Sequence, residues 1–435
     1  MQWIKNISFP YMLKGLNNGQ NYWGQLFQGG KAITKNTGFR PDALFTNTFL
    51  DHISVADHGQ YFIFGGSKIG PHTGTGVVVD TQSGQPAAFP LVEGNVNSVI
   101  SDNKGGWYIG GTFTSVGGVA RTNIAHIDAK SQVTAFSADI NGPVNKMTLT
   151  PDGLIVLGQF SQVNLSIRKQ IALLNPEGNL LDWKINSDGD IKDFIFINNI
   201  LYLAGEFTKI NQTSRTGVAS IIYKGELTNW NPSKTLGINL YNITTLAYSD
   251  SVFYLAGQIV LPNQGLKSTL IAVDTEGKQV NFKPEITGSV SAVAAIQNTV
   301  YISGYFYEVN GEEREFLASL TKDGKLNPWN PQINAPALFI QEYNNKIYLA
   351  GHFDGLFGVR RSKFAALNLD GTLADWNPQA APDPDASWHN NSTQIGAQLA
   401  FWQDKAYLAA NNSKFFGGAE RAGTFMRNRD GSLVD

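Results

Sequence analysis

The stretch Tyr108-Ile109-Gly110-Gly111-Thr112-Phe113 recurs in eight versions along the chain of 435 residues. Each version is a short apolar run that ends at a glycine or alanine. In most versions one variable position and a phenylalanine follow. Clear copies begin at Val156, Tyr202, Tyr254, Tyr301 and Tyr348, and weaker copies begin at Phe62 and Tyr407. A motif that recurs at a regular period indicates a repeat architecture, which constrains the fold more than local propensity does.

Two further features keep a fixed distance from the residue that ends each run. A cation follows ten residues later, and an aromatic residue follows twenty-five residues later. The cations are Arg121, Arg168, Arg215, Lys267, Arg314 and Arg361, and Arg421 follows one residue late. The aromatic residues are Phe136, Trp183, Trp230, Phe282, Trp329 and Trp376. Most steps between units are 47 residues long, and the longest is 59.

Each unit contains four short strand signals that are separated by turn residues. In the second unit they are Val96–Ser101, Trp107–Phe113, Asn123–Asp128 and Gln132–Phe136. Four strands in about 47 residues are typical of a β-propeller blade. A single blade cannot bury both faces of its sheet, so blades must stack on one another. We therefore expect an all-β chain that forms a single β-propeller. An open β-solenoid, whose repeats are usually shorter, is the alternative.

The number of repeats and the two ends of the chain predict how the ring closes. Eight copies predict eight four-stranded blades, and seven blades are the alternative if one weak copy is not a blade. The sequence stops at Asp435, where the aromatic element of the last unit should begin, and it starts with half a unit. We expect residues 1–38 to clasp the ring and residues 39–435 to form the propeller. Strands from the two ends of the chain would then close it.

The repeat resembles the bacterial delta-60 propeller repeat and is similar to repeats of fungal cortical cell-polarity markers. The resemblance covers nearly everything after residue 38. It rests on Gly117-Gly118-Val119-Ala120-Arg121, Phe364-Ala365-Ala366-Leu367-Asn368 and Gly371-Thr372-Leu373-Ala374-Asp375-Trp376-Asn377-Pro378. The first copy departs from the pattern, because Gly76 stands where a cation is expected. The resemblance implies secreted, cell-surface or phage-borne binding modules and brings no catalytic signature.

Composition excludes several classes of function. A formal net charge of −2 argues against a dedicated nucleic-acid binder. The absence of cysteine excludes disulfides, zinc–thiolate sites and a cysteine nucleophile. No apolar run approaches the ~20 residues that span a bilayer, so no membrane insertion is expected. No phosphate-binding loop or zinc-protease motif occurs, and we expect no cofactor.

The repeated cations and aromatic residues have a structural and a functional interpretation. A residue present in most units is expected to have the same structural role in every blade. We therefore expect the arginines to stack on aromatic rings and to donate hydrogen bonds to loop carbonyls. We expect the Trp and Phe residues to pack between blades. The alternatives are a basic ring for an anionic polymer and an aromatic platform for carbohydrate.

The variable position after the repeated glycine is the first candidate binding site. It follows the second strand of each unit, at the face where loops of neighbouring blades meet. Ligands of propellers usually bind at the mouth of the channel on such a face. Glu206, Tyr305 and His352 occupy this position and are the ligand-binding candidates. The alternative is that these side chains are solvated strand ends.

The longest insertion follows Pro378 and supplies four more ligand-binding candidates. They are Asp383, Asp385, Trp388 and His389. A tryptophan among acidic and amide residues on an exposed loop suits stacking on a sugar or anchoring of a partner protein. The alternative is a closure loop that packs on the N-terminal segment.

One segment has oxygen ligands at alternating positions, as calcium loops do. These residues are Asn186, Asp188 and Asp190. The downstream bidentate glutamate of an EF-hand is absent. We expect no metal here, and calcium is the alternative.

Two functions follow from these observations. The first is a non-catalytic extracellular scaffold that recognises a protein or a surface glycan through one propeller face. It would belong to a cell-surface adhesion module or to a phage tail or virion, and it could be part of a larger assembly. A start at Met1 without an apolar leader favours the virion setting. The second is a propeller hydrolase or lyase for polysaccharides, which would need two catalytic groups close together at the channel mouth.

Overall fold

Nearly all regular structure in the computed structural model is β-strand. The structure describes residues 89–223, 225–261, 265–378, 397–403 and 405–410. It also describes the strand backbones at 27–28, 31–32, 52–56, 61–67, 76–80, 381–382, 413–415 and 422–427. In these residues no helix is long and apolar enough to cross a membrane.

The strands are short, as expected for a repeat of this length. In chain order the first nineteen are β1 (Phe27–Gln28), β2 (Lys31–Ala32), β3 (His52–Ala56), β4 (Tyr61–Ser67), β5 (Gly76–Asp80), β6 (Val92–Ser101), β7 (Trp107–Val116), β8 (Val119–Ala120), β9 (Ile124–Ile127), β10 (Val144–Thr150), β11 (Gly153–Gly158), β12 (Gln162–Val163), β13 (Ser166–Ile167), β14 (Ile171–Leu174), β15 (Asp190–Ile197), β16 (Ile200–Glu206), β17 (Lys209–Ile210), β18 (Thr213–Ser214) and β19 (Val218–Ile222).

A one-turn helix and seventeen further strands follow. They are α1 (Pro232–Leu236), β20 (Asn239–Ser249), β21 (Val252–Leu261), β22 (Gly265–Asp274), β23 (Ile286–Ile296), β24 (Thr299–Val309), β25 (Glu312–Glu313), β26 (Leu317–Thr321), β27 (Ala337–Tyr343), β28 (Lys346–Gly351), β29 (Gly355–Leu356), β30 (Val359–Arg360), β31 (Phe364–Asn368), β32 (Ala381–Pro382), β33 (Ala397–Trp402), β34 (Lys405–Ala410), β35 (Ser413–Phe415) and β36 (Ala422–Arg427).

The chain divides into two units, which we describe separately. The larger comprises Gly74–Pro378 and Ser392–Asn411. The smaller comprises Met1–Thr73, Gln379–Asn391 and Asn412–Asp435. In the smaller unit β3, β4 and β36 form one antiparallel sheet, and β1–β2 and β32–β35 form two short pairs. The weak copy of the motif that begins at Phe62 lies in β4 of this unit, whereas the other seven copies lie in the larger unit.

The described part of the larger unit contains seven main antiparallel sheets of the same design. In six of them three strands from one stretch of the chain run side by side, as in β15-β16-β19, and in all seven the second strand carries the repeated motif. A short hairpin often projects between the second and third strands, as in β17–β18. We call the first strand of each sheet its inner strand; the seven inner strands are β6, β10, β15, β20, β23, β27 and β33. Sheets that follow one another in sequence and pack together are the arrangement of propeller blades.

The predicted fourth strand is reduced to a single bridge in six of these sheets. In the sheet of β15 the bridge joins Ile221 and Leu227. The next ladder hydrogen bond forms, from the N–H of Thr228 to the carbonyl of Ser220. The carbonyl of Thr228 then accepts from the Arg215 side chain. The strand predicted at Gln132–Phe136 is likewise one bridge at Val133.

The core lies between neighbouring sheets. One cluster joins Ile155 and Leu157 of β11 to Phe194, Leu201 and other residues of the next sheet. Such contacts bury one face of each sheet against its neighbour. The repeated unit is therefore stabilised by stacking, since a lone blade would expose both faces.

The last sheet of the larger unit, in the order β33-β34-β5, combines distant parts of the chain. Tyr407 of β34 pairs with Val78 of β5. Tyr407 also packs in one cluster with Trp107 and other residues of the first sheet. On the other side, the Phe401 ring lies 4.5 Å from the Tyr348 ring of the preceding sheet. The last sheet thus contacts both the sheet before it and the first sheet.

Candidate functional site

The repeated glycine is required because the inner strand bulges towards it. The register of β15 against β16 shifts between Ile191 and Asp193. At this bulge the carbonyl oxygen of Asp190 faces Gly205 so closely that a Cβ on Gly205 would overlap it. Gly111 faces the carbonyl of Asn95 in the same way. The glycine thus makes room for the bulge of the neighbouring strand, and the variable residue follows it directly.

We call this end of each sheet, where the second strand finishes and the third begins, the hairpin end. The repeated arginines hold the projecting hairpins there. Arg215 donates from Nη1 to the Ser214 carbonyl and from Nη2 to the Thr228 carbonyl, at 2.8 Å each. The hairpin is thereby tied to the outer edge of its own sheet. Equivalent bonds are donated by Arg121, Arg314 and Arg361, and Arg168 donates to the Ile167 carbonyl.

The repeated tryptophans lie between sheets. The Trp230 ring stands edge-on to Tyr202 of its own unit at 5.2 Å, and its Nε1 donates to the Asp274 carbonyl of the next sheet. Trp329 repeats both contacts, with Tyr301 and with the carbonyl of Gly371. Trp376 stands edge-on to Tyr348, and Trp183 packs against Tyr223. These rings are mostly buried and therefore do not form an open platform.

Asp188 of the calcium candidate is engaged by its own chain. Its Oδ1 accepts from the backbone N–H groups of Thr208 and Lys209, and its Oδ2 accepts from the Thr208 hydroxyl. These bonds lower its pKa to about 2. Asp190 pairs with Lys192 at 2.9 Å, and the N–H of Asn186 donates to Asn211. Across the described residues, no three His, Asp or Glu side chains are arranged to hold a metal ion.

The three channel-mouth candidates lie at equivalent positions of three different sheets. Glu206 is half-buried and accepts a hydrogen bond of 3.0 Å from the Tyr241 hydroxyl of the next sheet. This bond raises the pKa of Tyr241. Tyr305 is 58% exposed, and its ring stands edge-on to Phe316. Burial and the nearby Lys363 lower the pKa of His352. Glu206 and Tyr305 have local side-chain partners, and the structure gives no contact that joins the three candidates into one catalytic group.

The four candidates of the insertion, Asp383, Asp385, Trp388 and His389, lie outside the described residues.

Exposed apolar side chains concentrate at the hairpin end, which the sequence patterns did not reveal. Eleven large apolar side chains of the described residues are exposed, and nine stand at this end. The nine are Leu91, Val119, Leu165, Ile167, Tyr241, Leu266, Tyr305, Tyr307 and Val359. The opposite end exposes Ile222 and Leu369. Contiguous exposed apolar surface on a protein commonly marks an interaction site.

Leu165 is the most exposed of these residues and also has an unusual backbone. Its side chain is 85% exposed, and its φ is +64°. Leucine in the left-handed region costs about 1–2 kcal/mol, and an exposed side chain returns little in packing. Ile167, two residues further on, is 73% exposed. Folding therefore gains little from this pair, which makes the hairpin tip a candidate contact point.

A groove of about 720 Å³ opens at the hairpin end of the β24 sheet. One wall is the β25 hairpin with Glu312, Glu313 and Glu315, and the other is the connection that includes Asn330 and Gln332. Carboxylates and amides thus line a concave polar surface together with Arg314 and Ile333.

No known protein family and no curated protein matches this chain. Among solved structures, the WD40 β-propeller domain of Doa1 is 13% identical, with a TM-score of 0.38, over 70% of this chain and 88% of that one. Apo AztD from Citrobacter koseri is 14% identical, with a TM-score of 0.33, over 72% of this chain and 90% of that one. The AtxE2 isopeptidase is 14% identical, with a TM-score of 0.25, over 82% of this chain and 54% of that one. Structural similarities of this size do not indicate what the chain binds.

Proposed function

We propose that this protein is a non-catalytic binding scaffold that recognises its partner through the hairpin end of its sheets. The seven sheets of the larger unit would form a closed propeller ring, with β5 completing the last sheet. The partner would be a protein or a surface glycan. The setting would be extracellular, on a cell surface or in a virion, as the repeat type implies.

One observation carries the proposal: nine of the eleven large exposed apolar side chains in the described residues lie at the same end of their sheets. Random exposure would distribute such residues over both ends. Single exposed apolar side chains need no explanation, but a face that gathers them marks a contact surface.

The packing of the sheets supports a scaffold role. Neighbouring sheets are joined by buried hydrogen bonds, such as that from the Ala337 N–H of β27 to Ser303 Oγ of β24 at 2.9 Å. Arginine ties the hairpin to the outer edge of its sheet in four of the units. Short loops on a rigid framework suit recognition, since little conformational entropy is lost on binding.

Site-specific photocrosslinking tests this proposal. A photoreactive phenylalanine analogue is introduced at Leu165 or Tyr305 on the hairpin end, and at Ile222 or Leu369 on the opposite end as matched controls. The full chain is then irradiated in its native assembly or on intact source cells, and adducts are identified by mass spectrometry. We expect adducts from the hairpin end at several times the yield of the controls. Equal yields from both ends would contradict the proposal.

A further inference from the structure

The hairpin end of the β24 sheet differs in chemistry from those of the other sheets. It exposes two aromatic rings, Tyr305 at 58% and Tyr307 at 60%. The register of β23 against β24 shifts between Thr287 and Gly288, which places Tyr307 in a bulge after the buried Phe306. Tyr305 and Glu308 both lie on the side of the strand opposite to Phe306, because they pair with Ser289 and Thr287. Four exposed glutamates follow the tyrosines on β24, β25 and the next connection: Glu308, Glu312, Glu313 and Glu315. We call these six residues the acidic tyrosine face.

Among the described residues, Arg314 is the one cation that pairs with a carboxylate of this face. Arg314 is the only cation between residues 305 and 315. It donates to the carbonyls of Glu313 and Pro328, and it pairs with Glu312 at 3.4 Å. Glu308 accepts only a long bond of 3.3 Å from the Thr287 hydroxyl. Most of the negative charge therefore faces solvent.

Two of the carboxylates stand in an arrangement that does not favour folding. Glu308 and Glu313 are direct partners across the antiparallel pair of β24 and β25. Like charges directly opposite each other destabilise a sheet. The corresponding pairs of other hairpins do not join two charges of the same sign. They are Ser115 with Ala120, Gln162 with Ile167, Lys209 with Ser214, and Gly355 with Arg360. A cationic partner would relieve the repulsion.

The spread of the carboxylates indicates the kind of cation. They lie along two strands and a groove wall, and they are not arranged to hold a metal ion within the described residues. An extended peptide places alternate side chains about 7 Å apart and can meet several carboxylates in turn. Exposed tyrosine rings attract ammonium and guanidinium groups and cover their methylene chains.

We infer that the acidic tyrosine face binds an extended segment of a partner protein that is rich in lysine and arginine. This inference rests on the proposed function and specifies the partner of one part of the hairpin end. Aromatic rings and carboxylates cooperate, because the rings bind the cation and its hydrocarbon chain while the carboxylates supply charge.

Binding of a fluorescein-labelled decalysine peptide to the full chain tests the inference by fluorescence anisotropy at physiological salt. We expect saturable binding that weakens about fivefold or more in E308Q/E313Q. The variant Y305A/Y307A should weaken binding to a similar extent. The matched control is E177Q/E226Q, which removes the same charge from exposed positions at the opposite end. It should change the dissociation constant by less than twofold. Circular dichroism melts confirm that each variant folds.

Three results would overturn the inference: no saturable binding, equal weakening by the two glutamine pairs, or no effect of the tyrosine pair. Capture of a neutral oligosaccharide through Tyr305 and Tyr307, without decalysine binding, would also overturn it in favour of a glycan. If photocrosslinks persist at Leu165 while decalysine binding fails, only the cationic partner is wrong. If both fail, the binding scaffold itself is wrong.

Discussion

The carboxylate of Asp193 in β15 accepts a hydrogen bond of 2.9 Å from the backbone N–H of Leu246 in the next sheet. The same side chain accepts from its neighbouring backbone N–H at Phe194 and pairs with Lys146 of the preceding sheet. One buried carboxylate therefore joins three consecutive sheets. An inner strand has a partner strand on one edge only. The bond to Asp193 therefore satisfies the Leu246 N–H, a backbone donor that would otherwise be buried without an acceptor.

Replacing Asp193 tests this junction. We expect D193A to lower the free energy of unfolding by about 2–4 kcal/mol, because buried donors lose their acceptor and Lys146 loses its counter-charge. D193N should cost less, about 1–2 kcal/mol, because its amide oxygen still accepts from Leu246. Chemical denaturation followed by tryptophan fluorescence measures both. Equal losses in the two variants would show that charge, rather than the backbone bond, dominates.

A side chain at the repeated glycine should disrupt the bulge. G205A places a Cβ against the Asp190 carbonyl, so we expect a loss of about 1–3 kcal/mol in unfolding free energy. The matched control is G225A, where a Cβ would meet its neighbours at ordinary contact distances. The control should change stability by less than about 0.5 kcal/mol. Thermal denaturation compares the two, and similar melting temperatures would contradict the steric argument.

Replacement of Arg215 by lysine should weaken the attachment of the hairpin to its sheet. R215K retains the charge but cannot donate to the Ser214 and Thr228 carbonyls in the same planar geometry. We expect a loss of about 1–2 kcal/mol in unfolding free energy. K209Q, on the same hairpin and exposed, is the control and should be nearly neutral. Faster hydrogen exchange of the hairpin amides in R215K would locate the loss of stability in the hairpin. Unchanged exchange would contradict the role of Arg215 in holding the hairpin.

The Asp188 carboxylate should make stability depend on pH in the acid range. Its pKa in the folded protein, about 2, lies below the ordinary value of 3.8. The folded state therefore binds protons less readily, and the stabilisation is present above pH 3.8 and is lost as pH falls towards 2. Asn141 and Asn334 accept the equivalent bonds in other sheets, so D188N should fold. Melting curves from pH 5 to pH 2 should show a stability difference between wild type and D188N that shrinks on acidification. A constant difference would contradict the assignment.

Leu165 should be dispensable for folding. Gly118 and Gly311 occupy the same turn position in other hairpins, with φ of +76° and +79°. L165G relieves the left-handed leucine, so we expect unchanged stability or a gain of up to about 1 kcal/mol. V163G, on the same hairpin but fully buried, should cost several kcal/mol. Thermal melts measure both variants. A large loss in L165G would show that Leu165 serves folding rather than recognition.

Periodic features of the sequence predicted the repeated part of the structure. The run that ends at Gly205 is the second strand of its sheet, and the cation ten residues later holds the hairpin. The all-β class was predicted correctly because these features repeat in every unit. The prediction of a fourth strand was wrong, because apolar spacing does not reveal that the ladder stops after one bridge.

Features that occur only once in the chain could not be predicted from the sequence. Asp193 has no counterpart at the same position in other units, and its three partners come from separate sheets. The sequence does not distinguish Leu165 from other apolar residues. Its exposure and its positive φ are visible only in the structure. The opposition of Glu308 and Glu313 depends on strand register, which spacing alone does not fix.

The pairing of β5 with β34 also has a consequence for synthesis. The ribosome makes β5 before the next six sheets, yet its partner strand is complete only after Ala410 has been added. The six intervening sheets contain only consecutive strands and can form as they emerge. Newly made β5 must therefore wait with an unpaired edge, as β4 waits for its later partner β36, and a chaperone would protect both edges.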